Sequence, residues 1–200
     1  MGRAVTTRIG IALFDGAEEL DWAGPWEVLS FWARMFDDDI EVFTVAQDNA
    51  SPIECAKGLR VLADHSWASA PAIDVLVYPG GRGTRSQIGD DAVRSWIRSV
   101  HSGATLTTSV CTGALVLADA GLLRNKAATT YWSSFDELSA IDDTIEARPD
   151  DRFVDEGDII TAAGVSAGID MALYLIVRLA SEERARDVKR GIQYDPQPPV

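Results

Sequence analysis

A chain of 200 residues that is 46% hydrophobic and 24% charged has the balance of one globular domain, with enough apolar residues for a core of normal size. Its formal net charge of −13 repels phosphate backbones, which argues against general nucleic-acid binding and otherwise implies solubility without naming a substrate. Two cysteines, Cys55 and Cys111, are too few for a disulfide framework.

Residues 1–7 hold no apolar stretch of signal-peptide length, and the longest apolar run, residues 171–177, is too short to cross a bilayer. A soluble cytoplasmic protein is expected. Residues 8–14 (RIGIALF) read as a buried strand. A helix is predicted over 24–35, with Pro25 in its first turn. Residues 40–46 (IEVFTVA) form a second strand, and 59–63 a short antiparallel or edge strand. Residues 73–78 (IDVLVY) form a strongly apolar strand that ends in Pro79-Gly80-Gly81. A helix over 90–101 with Asp in its first turn leads to a strand over 104–110, after which Cys111 follows at once. Residues 112–120 read as a helix closed by Gly121, 159–162 as a late strand, 165–180 as a long apolar helix and 182–193 as a charged one. The polar stretch 142–151 reads as a loop or edge segment, and the proline-rich tail 195–200 as extended on the surface. Strand–helix alternation of this kind indicates one α/β domain over residues 1–200, its mostly parallel sheet covered on both faces.

Open α/β sheets bind ligands at the carboxyl ends of their strands. Three segments leave strands through unusual residues: 14–21, 79–84 and 109–113. In the third, Ser109-Val110-Cys111-Thr112-Gly113, a cysteine stands directly between strand and helix, the layout of a nucleophile elbow. The free N–H groups and partial positive charge of the helix amino end are expected to lower the Cys111 pKa. The Thr112 N–H can help hold a developing negative charge, and the stretch Gly80-Gly81-Arg82-Gly83 can bring a second N–H to the same place. A buried cysteine also serves as plain apolar filler, but the place at a strand's carboxyl end favours the reactive reading. Cys55 has no such turn and reads as a structural residue or a surface thiol.

The base for such a thiol is commonly His. Here only His65 and His101 exist. His101 precedes the strand that delivers Cys111, which at ~3.3 Å per residue places it on the order of 20 Å away. Nothing places His65 near the elbow, and no Cys/His cluster has metal-ligand spacing. A carboxylate remains. Asp21 precedes the run Trp22-Ala23-Gly24-Pro25-Trp26, apolar surroundings that raise a carboxyl pKa and let it carry a proton. Asp21 fits equally well as the N-cap of the next helix. Glu18 and Glu19 are expected to face solvent.

The runs Leu20-Asp21-Trp22-Ala23-Gly24-Pro25, Tyr78-Pro79-Gly80-Gly81, Thr108-Ser109-Val110-Cys111-Thr112-Gly113-Ala114, Ala120-Gly121-Leu122-Leu123, Ala128-Thr129-Thr130-Tyr131-Trp132 and Gly164-Val165-Ser166-Ala167-Gly168-Ile169-Asp170 resemble the ThiJ/PfpI superfamily, and within it the isonitrile hydratase branch. The resemblance runs from the first strand to Pro199. The same motifs occur in the amidotransferase-like domain of AraC-type regulators, which carry a helix-turn-helix module downstream; this chain stops before one. The resemblance implies a flavodoxin-like doubly wound sheet, a homodimer, a small-molecule substrate and no metal or organic cofactor. It implies Cys111 as nucleophile, Asp21 in contact with it and Thr112 beside it. Substrate or oxyanion contacts would come from Gly80, Gly81, Gly164, Val165 and Tyr131, the last standing where many relatives have His. Thr112 takes the place of a His in peptidase-like members, which argues against peptidase activity. The implied reaction adds water to R–N≡C. Cys111 attacks the terminal carbon, Asp21 supplies a proton to nitrogen to give a thioimidate, and water activated by the same carboxylate releases an N-substituted formamide. A glyoxalase- or amidase-like enzyme, a redox sensor and a ligand-binding regulator are the competing readings.

Overall fold

The computed structural model describes residues 6–197. Strand β1 (Thr7–Ala12) leads to helix α1 (Glu19–Met35) and β2 (Ile40–Ala46). A small hairpin of β3 (Ile53–Glu54) and β4 (Arg60–Val61) precedes β5 (His65–Ser66) and β6 (Val75–Tyr78). Next come α2 (Thr84–Gln87), α3 (Asp91–Gly103), β7 (Leu106–Val110), α4 (Gly113–Asp119), β8 (Ala127–Ala128), α5 (Phe135–Ile141) and β9 (Glu146–Ala147). Strands β10 (Phe153–Asp155) and β11 (Ile159–Ala162) lead into α6 (Ala167–Leu179) and α7 (Glu182–Gly191).

The main sheet has seven strands in the order β10-β11-β7-β6-β1-β2-β5. Every pairing in it is parallel except β10 with β11. Side chains alternate across the sheet with the period of two that a pleated strand requires. Ile9, Ile11, Val75 and Val77 point to one face, where Val28, Leu29 and Trp32 of α1, Leu175 and Ile176 of α6 and Val188 of α7 cover them. Leu76, Tyr78, Phe43 and Val45 point to the other, under Val93 and Ile97 of α3 and Leu115 and Leu117 of α4. This is why the run IDVLVY is apolar at nearly every position: each face has its own core. The doubly wound α/β class expected from the sequence is the one observed.

The chain steps from β1 to β2 on one side and returns to β6 on the other, so strand order reverses between β1 and β6. The loops leaving β1, β6 and β7 meet at that crevice, where an open sheet binds ligands. Two expectations need correcting. Helix α1 begins at Glu19, five residues ahead of the predicted start, so Pro25 lies inside it. The missing Pro25 N–H removes only the bond to the Asp21 carbonyl, and the packing of α1 on the sheet and on α6 tolerates that. The Asp21 side chain is not the cap: the N-cap residue is Glu18. Of the predicted tail, residues 195–197 are irregular and exposed, and 198–200 lie outside the described residues. No helix among the described residues is long and apolar enough to cross a membrane.

Candidate active site

β7 is buried along its whole length and ends at Val110, and α4 begins at Gly113. Cys111 makes the turn between them with φ at 58°, in the left-handed region that residues with a Cβ avoid. Its N–H donates to the Ala162 carbonyl at 3.0 Å, and its own carbonyl accepts from Thr130 Oγ1 at 2.9 Å, so β11 and the segment after β8 hold the turn. Gly113 has to lack a side chain, because a Cβ there would stand 2.4 Å from the Tyr78 carbonyl oxygen. Val165 is a second strained residue, with φ at 49° although it is β-branched. The N–H groups of Thr112 and Val165 both donate to the Cys111 sulfur. Strain at two residues converging on one sulfur is the kind of feature that clusters at functional sites.

Asp21 sits in the first turn of α1, fully buried. Its Oδ2 accepts from the Gly80 N–H at 2.9 Å, and Oδ1 has no partner among the described residues. Only glycine lets the loop after β6 come this close. A Cβ on Gly80 would lie 2.5 Å from the Thr112 nitrogen and 2.9 Å from Asp21 Oδ2. Burial drives the Asp21 carboxyl up to about 7, against the Gly80 N–H, which favours the charged form; the charge of Glu18 adds to the rise. Burial, and then the charge of Asp21, pushes the Cys111 thiol up to about 12, and the Thr112 and Val165 N–H groups offset only part of this. The expectation of a depressed thiol pKa is therefore overturned. The helix amino end does supply an N–H, but at a residue only 5% exposed desolvation is the larger effect. Above about pH 7 the two acids hold one proton between them. With the proton on Asp21, the sulfur is a thiolate resting on two N–H groups; with it on the sulfur, Asp21 is the charged member.

Cys111 opens onto a cavity of 570 Å³ whose walls include Thr112, Val165, Tyr131, Gly81, Ser133 and Ser134. Gly164 packs against the Tyr131 ring. Thus the structure brings Cys111, Asp21, Thr112, Gly80, Gly81, Gly164, Val165 and Tyr131 to one place. The glycine N–H groups, however, are already engaged: Gly80 donates to Asp21 and Gly81 to Thr112 Oγ1 at 2.9 Å. The donors aimed at the sulfur come from Thr112 and Val165 instead. His65 lies on β5 at the sheet edge, edge-on to Phe43, and His101 binds Thr107 Oγ1 at 2.9 Å; neither lines the cavity. Cys55 is fully buried in a small cluster with Leu13, Ala46, Ile53 and Ala63, which is the structural reading of that residue.

Several cavity residues escaped the sequence reading. Glu18 faces the cavity and pairs with Lys57, which the β3–β4 hairpin carries in from 39 residues away. Glu19 also turns to this hairpin, accepting from the Lys57 backbone N–H at 2.6 Å. Arg82 and Arg85 reach the cavity from the loop after β6 and from α2. No local pattern marks Lys57; Arg82 was visible only as part of a glycine-rich loop. Among the described residues no group of three or more His, Cys, Asp or Glu side chains is arranged to hold a metal ion.

An α/β sheet with a strained cysteine elbow at the carboxyl end of its strands defines a class, and comparison supplies the family. The DJ-1/PfpI family model matches residues 7–178, and the chain belongs to that family. It is 37% identical over 193 residues to the isonitrile hydratase of Pseudomonas putida, covering 96% of this chain and 80% of the relative. Protein dj-1beta of Drosophila melanogaster is 28% identical over 189 residues, covering 91% of this chain and 94% of that protein. Among solved structures, a ThiJ/PfpI family protein from Pseudomonas syringae superposes with a TM-score of 0.87 at 29% identity, over 98% of this chain and 78% of that one.

Proposed function

We propose that this chain is a single-domain, cofactor-independent isonitrile hydratase that converts R–N≡C and water to the N-substituted formamide. The observation that carries the reading is the buried Cys111–Asp21 pair, whose sulfur opens onto a cavity of 570 Å³. The likeness to the Pseudomonas putida enzyme selects the chemistry.

The reaction begins from the form with thiolate on Cys111 and acid on Asp21. The thiolate attacks the terminal carbon and forms the C–S bond. The electron pair that remains sits on that same carbon, so the Asp21 proton goes to carbon and not to nitrogen as first expected. The product is the thioimidate R–N=CH–S on Cys111. Asp21, now a carboxylate, takes a proton from water as the hydroxyl adds to carbon and passes it to nitrogen. Collapse of the tetrahedral adduct returns the hydroxyl proton to Asp21, breaks the C–S bond and releases R–NH–CHO, with thiolate and acid restored. The Thr112 and Val165 N–H groups stabilise the sulfur whenever it carries charge.

The working form proposed is a cytoplasmic homodimer. An apolar patch on α1 supports it: Leu20 is 39% exposed beside Ala23 and Gly24. To test the activity, a simple alkyl or aryl isonitrile is incubated with protein in the presence of a chelator, and formamide is followed by liquid chromatography and mass spectrometry. Wild-type protein is expected to turn over and Cys111→Ser to be inert. Wild-type protein inert to both kinds of isonitrile would contradict the proposal.

A further inference from the structure

Three basic side chains, Lys57, Arg82 and Arg85, reach the Cys111 cavity in a chain whose net charge is −13. Two of them are already engaged. Lys57 Nζ pairs with Glu18, and Glu19 lies 3.9 Å away. Arg85 Nε binds Glu137 at 3.0 Å, and the rest of its guanidinium reaches the Gly81 carbonyl, Thr84 Oγ1 and Ser134 Oγ. Arg82 is different. Among the described residues it has no carboxylate, carbonyl or hydroxyl partner, and it stands exposed at the rim of the cavity. Its backbone is fixed, because the preceding Gly81 exchanges hydrogen bonds with Thr112 Oγ1 through both its N–H and its carbonyl.

An unpartnered guanidinium is a permanent charge with its donors in a planar fork, the shape that matches a carboxylate with two parallel hydrogen bonds. The cavity around it is far larger than a linear –N≡C group needs. At 570 Å³ it holds a whole small molecule, with Tyr131 and Val165 as its apolar wall. We propose that the substrate carries a carboxylate, which Arg82 binds while Cys111 takes the reacting carbon. That the reacting group is an isonitrile rests on the function proposed above. The charge preference of the cavity does not, and the two can be tested apart.

The first arm compares alkylation of Cys111 by iodoacetate and by iodoacetamide, read at that residue by mass spectrometry. The reagents share a leaving group and differ in charge. The iodoacetate-to-iodoacetamide rate ratio at Cys111 is expected to exceed that of glutathione measured alongside. It should fall about fivefold in Arg82→Gln, the upper end of what one ion pair contributes at an exposed site. Arg82→Lys should keep most of the preference, since the charge remains. A ratio no higher than that of glutathione, or one that Arg82→Gln leaves unchanged, overturns the proposal. The second arm compares kcat/KM for isocyanoacetate and for its methyl ester. Wild-type enzyme is expected to prefer the carboxylate, and Arg82→Gln to reduce the preference about fivefold, mainly through KM. If neither compound is hydrated while the alkylation ratio behaves as stated, the isonitrile chemistry is refuted and the anion site is supported. An enzyme that hydrates both equally well overturns the anion site and leaves the chemistry.

Discussion

Replacing Asp21 with Asn separates two effects that this carboxyl has on Cys111. As a charge it holds the thiol high; as an acid it moves the proton in the proposed mechanism. Asn keeps the size and can still accept the Gly80 N–H, but carries neither charge nor a transferable proton. At about pH 7.5 a thiol raised to about 12 is thiolate in only about one molecule in 10⁴–10⁵. Burial, the larger cause of the rise, survives the substitution. Removing the adjacent charge should bring the thiol down by about one pH unit, and so raise its alkylation rate about tenfold. Turnover should move the other way, by the roughly 10²–10⁴-fold that a general acid–base group contributes. The pH dependence follows from the same pair. Below about pH 7 Asp21 and Cys111 each hold a proton, so wild-type kcat/KM should rise as pH increases through about 7 and then level off, an inflection absent from the Asn variant. Iodoacetamide labelling of Cys111 and formamide production are measured across the neutral range, with thermal melting to establish that the variant is folded. Labelling and turnover changing in the same direction, or wild-type turnover in the Asn variant, would refute the reasoning.

The burial of Asp21 has a stability consequence with a definite sign. A carboxyl raised from 3.8 to about 7 on folding favours the folded state below its unfolded value, and that contribution is lost as pH rises through 7, a loss of about 4 kcal/mol. Asp21→Asn should therefore melt above wild type at about pH 8 and with no such advantage at about pH 4; equal differences at the two pH values would count against it. Gly80→Ala forces a methyl to within 2.5 Å of the Thr112 nitrogen, so the loop must withdraw from both Asp21 and the elbow. Turnover should drop about 10²-fold, as misplacements near 1 Å can cause, and unchanged kinetics would show that the contact is not needed. Light scattering should report twice the chain mass of 21.6 kDa, and a value near 21.6 kDa in dilute solution would reject the dimer.

The fold and the centre of the site were legible in the sequence because both are written in local patterns. The elbow could be found from Ser109-Val110-Cys111-Thr112-Gly113 alone, since a strand, a turn and a helix in immediate succession leave few places for the cysteine. The start of α1 was misread because Gly24-Pro25 looks like a helix boundary, whereas packing decides where that helix begins. The same error kept Asp21 ambiguous between cap and acid. Once the helix starts at Glu19, Asp21 turns inward, buried and accepting from the Gly80 N–H, and no longer caps the helix. The thiol pKa was misjudged because the helix amino end is visible in sequence and the depth of burial is not. The cavity's charged wall was out of reach for a different reason. Lys57 arrives on a hairpin, and Glu18 is drawn from solvent by that lysine, a contact across 39 residues that no short motif encodes.

The most direct measurement is the intact mass of the enzyme quenched in acid during turnover of an isonitrile. A covalent thioimidate adds the full mass of the substrate, and peptide mapping should place it on Cys111. Cys111→Ser should carry no adduct and make no formamide. Formamide produced by Cys111→Ser at the wild-type rate, or a substrate-mass adduct found on Cys55 with Cys111 unmodified, would contradict the assignment of Cys111 as the nucleophile.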